Sequence, residues 1–506
     1  MLWASLLLPG APTIASHHGC LPLDAQRAER VYLRRRPEQT ALYEVVRVHA
    51  ATFLAEARER SASGHGLPRY IEREIERYLE CGILCHGFAR VRCDGCGDEL
   101  LVAYSCKGRG LCPSCTGRRM VDGAAHLVDR VLPPVATRQW VLSFPYRYRL
   151  RLARDPALLF EVLARFLRAI FLWQRRAARR EGIPRPLVGA VTALQLFGSS
   201  LNLHPHFHAL VPDGVFTVDD DRAQFHQLPP PDDAEVARIL RRTLRRILPL
   251  LEAADADPCG DDALDTLRAG AAQRPLGFPT APTDTARPAR PRNAFIEGFS
   301  LDASVRVHGN DDQGRERLAR YILRPPFAAH RLELLPDGRV RYRARRARPG
   351  APRELILEPK ELLRRLVALI PPPRVDMVRY HGVFAPYAKH RDAVVHLAHD
   401  HAAAIGTERP AAKLCRRPRK ERRPAPTTER YLDWATLLKR TFAVDVLACT
   451  RCGGRRRLIV FITDPVVVRQ ILTHLGLPTS PPERLPARAP PQCSFLDFAD
   501  PPSFDG

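Results

Sequence analysis

The sequence predicts an α+β fold, and three observations carry that prediction. Between Gln139 and Phe216 lie three runs of strand character, QWVLSFP, LVGAVTALQLF and HPHFHALVPDGVF. A GSSLN turn joins the last two as an antiparallel hairpin. Around them sit stretches with apolar residues at helical spacing, the longest from Pro156 to Arg180. Ahead of them comes a block of cysteines in C-x2-C pairs, the pattern of a small metal-stabilised module.

Thr40–Arg60 (TALYEVVRVHAATFLAEARER) and Ile71–Gly82 (IEREIERYLECG) carry the 3.6-residue period of amphipathic helices. The Cys-rich block runs from Cys81 to Cys115. QWVLSFP reads as a buried strand, and PALLFEVLARFLRAIFLWQRRAARR as a long helix whose basic C-terminal end suits the helix dipole. The hairpin Leu187–Phe197 and His204–Phe216 follows. Residues 219–293 are acidic and rich in Pro and Ala; they read as one helix, AEVARILRRTLRRILPLLEA, between poorly ordered loops. Arg315–Arg324 (RERLARYILR) is a helix stopped by Pro325 and Pro326. RLELLPDGRVRYRAR is a hairpin turning at Asp337–Gly338, and PKELLRRLVALI is a further helix. The resulting division is a disordered start over 1–37, a Cys-rich, metal-stabilised domain over 38–130 and a strand-containing core over 131–395, with 219–293 as a loop-rich insertion. A basic linker over 396–430 and a small module with a Pro-rich tail over 431–506 complete it.

Composition narrows the function. The 506 residues carry a formal net charge of +24 and are 45% hydrophobic, enough for real cores. A sequence pI near 10.1 points to a polyanion partner, nucleic acid in the first instance. The bland alternative is a solvated basic surface from a GC-rich genome. The 13 cysteines, odd in number and paired as C-x2-C, fit metal binding in a reducing compartment better than a secreted disulfide framework. The apolar run in MLWASLLLPGAPTIASHHGC lacks a basic n-region and is too short to span a bilayer. No other stretch reads as transmembrane, so the expected location is the cytoplasm, without a membrane partner.

Cys93-x2-Cys96 and Cys112-x2-Cys115, fifteen residues apart, suit one tetrahedral Zn²⁺. Four thiolates leave no open position, so the expected role is structural. Cys106 reads as core or as a replacement ligand, and Cys81, Cys85 and His86 as buried residues or a second site. Lys107, Arg109, Arg118 and Arg119 flank the knuckles and are candidates for DNA phosphates, with ordinary solvated charge as the alternative. Near the C-terminus, Cys449-x2-Cys452-Gly-Gly has the form of half a zinc ribbon, which Cys415 and His474 could complete only if the fold brings them close. Arg455, Arg456 and Arg457 follow it as a further backbone-contact candidate.

His204, His206 and His208 alternate along one strand and so share a face. Three imidazoles at period two point to a divalent ion, against the alternative of a half-buried strand with incidental histidines. Such an ion would polarise a phosphate. Tyr321, with Arg320 beside it and Arg324 at i+3 on the same helix, is a candidate nucleophile whose cationic neighbours would hold that phosphate. A lone helical tyrosine is otherwise a core residue.

These residues carry a family likeness. HPHFHALVPDGVF resembles the His-hydrophobic-His motif of HUH endonucleases. The order SCKGRGLCPSCTGRR, QWVLSFP, FGSSLNLHPHFHALVPDGVF, RYILRPP, RYHGVFAP resembles that of insertion-sequence transposases of the two-tyrosine, rolling-circle-like type with an N-terminal zinc-binding domain. The likeness covers residues 40–391. It implies a ferredoxin-like antiparallel sheet with helices on one face and a zinc-ribbon module ahead of it. It implies that His206 and His208 bind Mg²⁺ or Mn²⁺, that Gln195 or His204 is the third ligand, and that Tyr321 attacks DNA to leave a 5′-phosphotyrosine and a free 3′-OH. It implies a bacterial, nucleoid-associated protein acting on single-stranded element ends and target DNA. Where two-tyrosine members place their first tyrosine, four residues before the second, this chain has Arg317; a single-tyrosine cycle or two cooperating protomers would then be needed. The other readings are a replication initiator or relaxase of the same superfamily, and a non-catalytic zinc-ribbon regulator.

Overall fold

The computed structural model describes residues 34–61, 63–253, 263–272, 291–344, 353–404, 435–436 and 445–488. The expected disordered start up to residue 33, the loops on either side of residues 263–272, the expected basic linker from residue 405 with Cys415, and the tail beyond 488 lie outside the described residues, whereas the first nine residues expected in that linker belong to the helix Arg391–Ala404. In chain order the helices are α1 (Ala41–Glu59), α2 (Arg69–Glu80), α3 (Pro113–Arg130), α4 (Arg149–Arg154), α5 (Pro156–Arg180), α6 (Asp233–Glu252), α7 (Ala263–Ala272), α8 (Asp312–Ile322), α9 (Pro359–Ala368), α10 (Arg391–Ala404) and α11 (Pro465–His474). The strands are β1 (Phe88–Cys93), β2 (Glu99–Ala103), β3 (Thr137–Ser143), β4 (Gly189–Phe197), β5 (Leu203–Pro212), β6 (Gly214–Asp219), β7 (Arg222–Gln227), β8 (Asn293–Ile296), β9 (Phe299–Asp302), β10 (Arg306–Val307), β11 (Leu332–Leu334), β12 (Val340–Arg343), β13 (Glu354–Leu357), β14 (Val378–Gly382) and β15 (Arg456–Ile462).

Local sequence sets the helix starts. Thr40 caps α1 by accepting from Tyr43 N–H, and Asp155 caps α5 ahead of Pro156. Asp232 and Glu235 form a reciprocal capping box at α6.

The main sheet has the order β14-β4-β5-β3-β9-β8, with β10 also on β3, and its pairings are antiparallel. The β4–β5 hairpin is the expected one. Alternation sorts the two faces. Ala190, Leu194, Phe207, Ala209, Trp140 and Leu142 pack with α5 and α6. Val191, Ala193 and Leu210 pack with α3, α8 and α10 on the opposite side. Helices therefore cover both faces of this sheet, not one. The reason lies in β4 and β5, whose residues are buried almost without exception on both faces, so neither can be left to water. Among the described residues of the segment expected to be a loop-rich insertion, α6 packs beside α5 in one helical layer.

Two smaller sheets redraw the expected domain boundaries. Strands β11, β12 and β13 form an antiparallel sheet that shares one core with α1, α2 and α9. Strand β15 pairs with β1 beside β2. The segment from residue 445 is thus a third strand of the N-terminal sheet and not a separate module. Arg35, inside the stretch expected to be disordered, is buried.

One ion pair ties the main sheet together. Arg138 on β3 makes a bidentate contact to Asp213 at 2.9 and 2.8 Å and donates to the Ala303 carbonyl. Arg306 adds a second guanidinium to Asp213 at 2.8 Å. Both partners of the Arg138–Asp213 pair are buried, so each is a costly charge without the other.

Candidate active site and metal centres

Gln195, His206 and His208 lie on the sheet face covered by α3, α8 and α10. Register places Gln195 opposite His206 across the β4–β5 ladder. Helix α8, started by Asp311 accepting from Gly314 N–H, lies over this face and brings Tyr321 to it. The rings of His206 and His208 are 4.8 Å apart, and those of His208 and Tyr321 are 5.6 Å apart. The Arg324 guanidinium sits 4.5 Å from the Tyr321 ring centre and 5.7 Å from that of Phe197. Tyr321 is 38% exposed and so open to solvent. Arg320 instead pairs with Glu316 at 2.6 Å.

Burial pushes the pKa of His206 down to about 4, with Arg324 acting in the same direction against a hydrogen bond to His204. Burial, then His206 and Arg324, holds His208 well below the ordinary imidazole value. Neutral imidazoles are what metal ligation requires. His206 Nδ1–H donates to the His204 carbonyl at 2.7 Å, which leaves Nε2 its lone pair. Gln139 Nε2 on β3 lies 2.6 Å from His208 Nδ1, where the amide N–H donates to the ring. With the carboxamide turned over its oxygen faces the ring instead, and then Nδ1 holds the proton and Nε2 the lone pair.

His208 Nε2 and Gln195 Oε1 are both buried without a hydrogen-bond partner. The Gln195 amide is aimed by donating to the carbonyls of Ile322 and Tyr321 at 2.7 and 3.3 Å, so strand β4 and the end of α8 are locked together at the site. With the Gln139 oxygen facing Nδ1, His208 Nε2 and Gln195 Oε1 are two unpartnered acceptors beside the neutral His206 ring, a set that fits a divalent cation. His204 is half-buried, with its ring 5.2 Å from that of His206. Sequence reasoning did not pick Gln139. Its signal was a polar residue inside the apolar run QWVLSFP, in phase with the histidine face.

The four cysteines expected to share one ion do not meet. Cys112 and Cys115, at the start of α3, join Cys81 and Cys106, while Cys93 and Cys96 join Cys449 and Cys452. Strand β2 is the reason. It runs away from the first knuckle for five residues, roughly 16 Å at about 3.3 Å each, before the chain reaches Cys106. In the first cluster the sulfur separations are 3.4 Å for Cys106–Cys115, 3.6 Å for Cys81–Cys112 and 3.7 Å for Cys81–Cys115. A tetrahedral Zn²⁺ with sulfurs at about 2.3 Å would set them about 3.8 Å apart. Hydrogen bonds from Cys106, Cys115 and Cys81 hold the Cys112 thiol well below its ordinary value. Arg35 Nη1 lies 3.9 Å from Cys112 Sγ and 4.0 Å from Cys81 Sγ. Cys85 belongs to neither cluster, and neither His86 nor His474 does.

The candidate DNA contacts divide. Lys107 and Arg119 are exposed, although Arg119 donates to the Lys107 carbonyl. Arg118 is half-buried. Arg109 is committed inward, donating to the carbonyls of Pro372 and Val375. In the C-terminal run, Arg456 is buried against Asp98 at 2.6 Å, and Arg457 pairs with Asp94 at 2.8 Å.

Comparison with known proteins returns three matches. The family model described as "Putative transposase" matches residues 189–392, which include Gln195, both histidines, Tyr321 and Arg324. The model described as "Transposase zinc-binding domain" matches residues 46–144. The chain is 26% identical over 304 residues to "Putative transposase y4qJ" of Sinorhizobium fredii, spanning 57% of this chain and 68% of that protein. No solved structure matches significantly. Transposase function and a structural zinc role for the cysteines are what these matches support. Among the described residues, no helix is long and apolar enough to cross a membrane.

Proposed function

We propose that this chain is the transposase of an insertion sequence, nicking and rejoining single-stranded DNA with Tyr321 as nucleophile. The observation that carries the reading is the approach of an exposed tyrosine, 5.6 Å ring to ring, to a buried histidine whose Nε2 has no partner. The Tyr321 oxygen forms a bond to phosphorus while the bond to the 3′ oxygen breaks, giving a 5′-phosphotyrosine and a 3′-OH. The phenolic proton leaves to solvent and the departing oxygen takes one up. One phosphodiester replaces another, so the reverse attack rejoins DNA without ATP. Arg324, stacked on the tyrosine ring, is placed to hold the scissile phosphate.

His206, His208 and Gln195 would hold Mg²⁺ or Mn²⁺, with His204 as the alternative to Gln195. The cation would polarise the phosphate as a Lewis acid. The chain's own residues hold the imidazoles neutral, fix Gln195 against α8 and leave the tyrosine open to solvent. Arg317, where a first tyrosine would stand, is exposed and 4.0 Å from Asp311. The second strand transfer therefore falls to Tyr321 used again, or to Tyr321 of a second protomer.

The test is nicking of labelled single-stranded DNA from the element's ends with Mn²⁺. His206→Ala and His208→Ala should lose cleavage by 10²-fold or more, on the order of one lost electrostatic stabiliser, and keep DNA binding within a few-fold. Loss of binding together with cleavage would make the histidines a structural cluster instead. DNA binding without cleavage by the wild type would favour a regulator with an inactive core.

A further inference from the structure

Cys449 and Cys452 lie beyond both matched regions, which end at residues 144 and 392. We infer that they complete a second tetrathiolate Zn²⁺ site with Cys93 and Cys96, and that this ion clasps the C-terminal segment to the N-terminal sheet.

The geometry is that of a built site. The four sulfurs all lie within 4.8 Å of one another. Cys93–Cys452 and Cys96–Cys449 are 3.5 and 3.6 Å apart, close to the separation that tetrahedral zinc imposes and far beyond a disulfide bond of about 2.05 Å. The two knuckles adopt the same turn. Gly97 N–H donates to the Cys93 carbonyl and Gly453 N–H to the Cys449 carbonyl, and both glycines are left-handed, with φ of 72° and 71°. Gly454 N–H points at Cys452 Sγ at 3.4 Å. A Cβ on Gly454 would come within 3.1 Å of Cys452 Sγ and 3.3 Å of Cys93 Sγ, so the space between the two knuckles is kept for sulfur and what it binds.

The rest of the segment is organised around this point. Arg456 crosses from the C-terminal knuckle to Asp98 beside the N-terminal one. Strand β15 pairs with β1 from Cys93 to Phe88, and Ile462, Val468 and Leu472 pack on Leu84, Phe88 and Ala103. This cluster is small, and the middle of β15 is exposed. The ligands Cys96 and Cys449 are 353 positions apart, and closing so long a loop benefits most from a metal crosslink.

The test uses the full-length wild type purified with zinc. Native mass spectrometry should count two zinc ions per chain, and Cys449→Ser/Cys452→Ser should hold one. Alkylation of the wild type gives an independent readout: Cys452 is exposed, so only ligation keeps it unreactive. Cys449 and Cys452 should resist alkylation until a chelator is added and react fully afterwards. One zinc in the wild type, two in the double variant, free alkylation of the zinc-loaded chain, iron in place of zinc, or a mass loss marking a Cys93–Cys452 disulfide would each overturn the inference.

Discussion

His381 shows how a single buried group gives the fold a pH dependence. It stands on β14 with Nε2 2.9 Å from Thr192 Oγ1. Burial, reinforced by Arg379, pushes its pKa down to about 4. An unfolded histidine titrates near 6.5. Above that pH both states are neutral at this position. As pH falls from about 6.5 to about 4, the unfolded chain binds the proton and the folded one does not, so stability is lost across that window. The slope of Tm against pH should be shallower there for His381→Gln than for wild type, and identical slopes would contradict the assignment. At this scale the sequence is most legible where chemistry is periodic. That His206 and His208 share a face can be read from alternation, and that Tyr321 has arginine neighbours from the sequence itself. Gln139 is invisible because its role comes from a neighbouring strand's register. Arg109 is misleading because charge is readable in sequence and its carbonyl partners are not.

The Arg138–Asp213–Arg306 cluster is a buried polar contact that ties strands of the main sheet together. Asp213→Ala would leave Arg138 buried and unpaired, at a cost of about 3–5 kcal/mol. Urea unfolding should show that loss, with part of it recovered in Asp213→Ala/Arg138→Met. A loss under about 1 kcal/mol would mean that the pair does not pin β3 to the β5–β6 corner. Long elements are readable: α1, α5 and α6 follow their hydrophobic period, and β4 and β5 read as strands because they are continuous apolar runs buried on both faces. Strands β8, β9 and β10, two to four residues each, carry too little pattern to be read. Helix α6 is readable, but its place beside α5 on one sheet face, with α3, α8 and α10 on the other, is not, because a helical period does not say which face of a sheet the helix meets.

At the scale of the whole molecule, what escapes sequence reading is sequence separation. Two C-x2-C pairs in one block look like one site, yet one pair closes with Cys81 and Cys106 of that block and the other with Cys449 and Cys452 across most of the chain. The N-terminal helices likewise share a core with α9 and β11–β13, which no local pattern announces. Net charge, by contrast, is a property of the whole and can be read directly. With +24 on the chain, affinity for single-stranded DNA should fall steeply with salt, by about 0.7 in the log–log slope per phosphate neutralised. A flat salt titration would contradict backbone binding.

The most direct test of the central claim is the site of attachment. After reaction with Mn²⁺ and single-stranded DNA of the element's ends, nuclease-trimmed and protease-digested protein should yield one peptide carrying a nucleotide 5′-phosphate on Tyr321, absent from Tyr321→Phe. A nucleotide on any other residue, or an adduct that persists in Tyr321→Phe, would contradict the account.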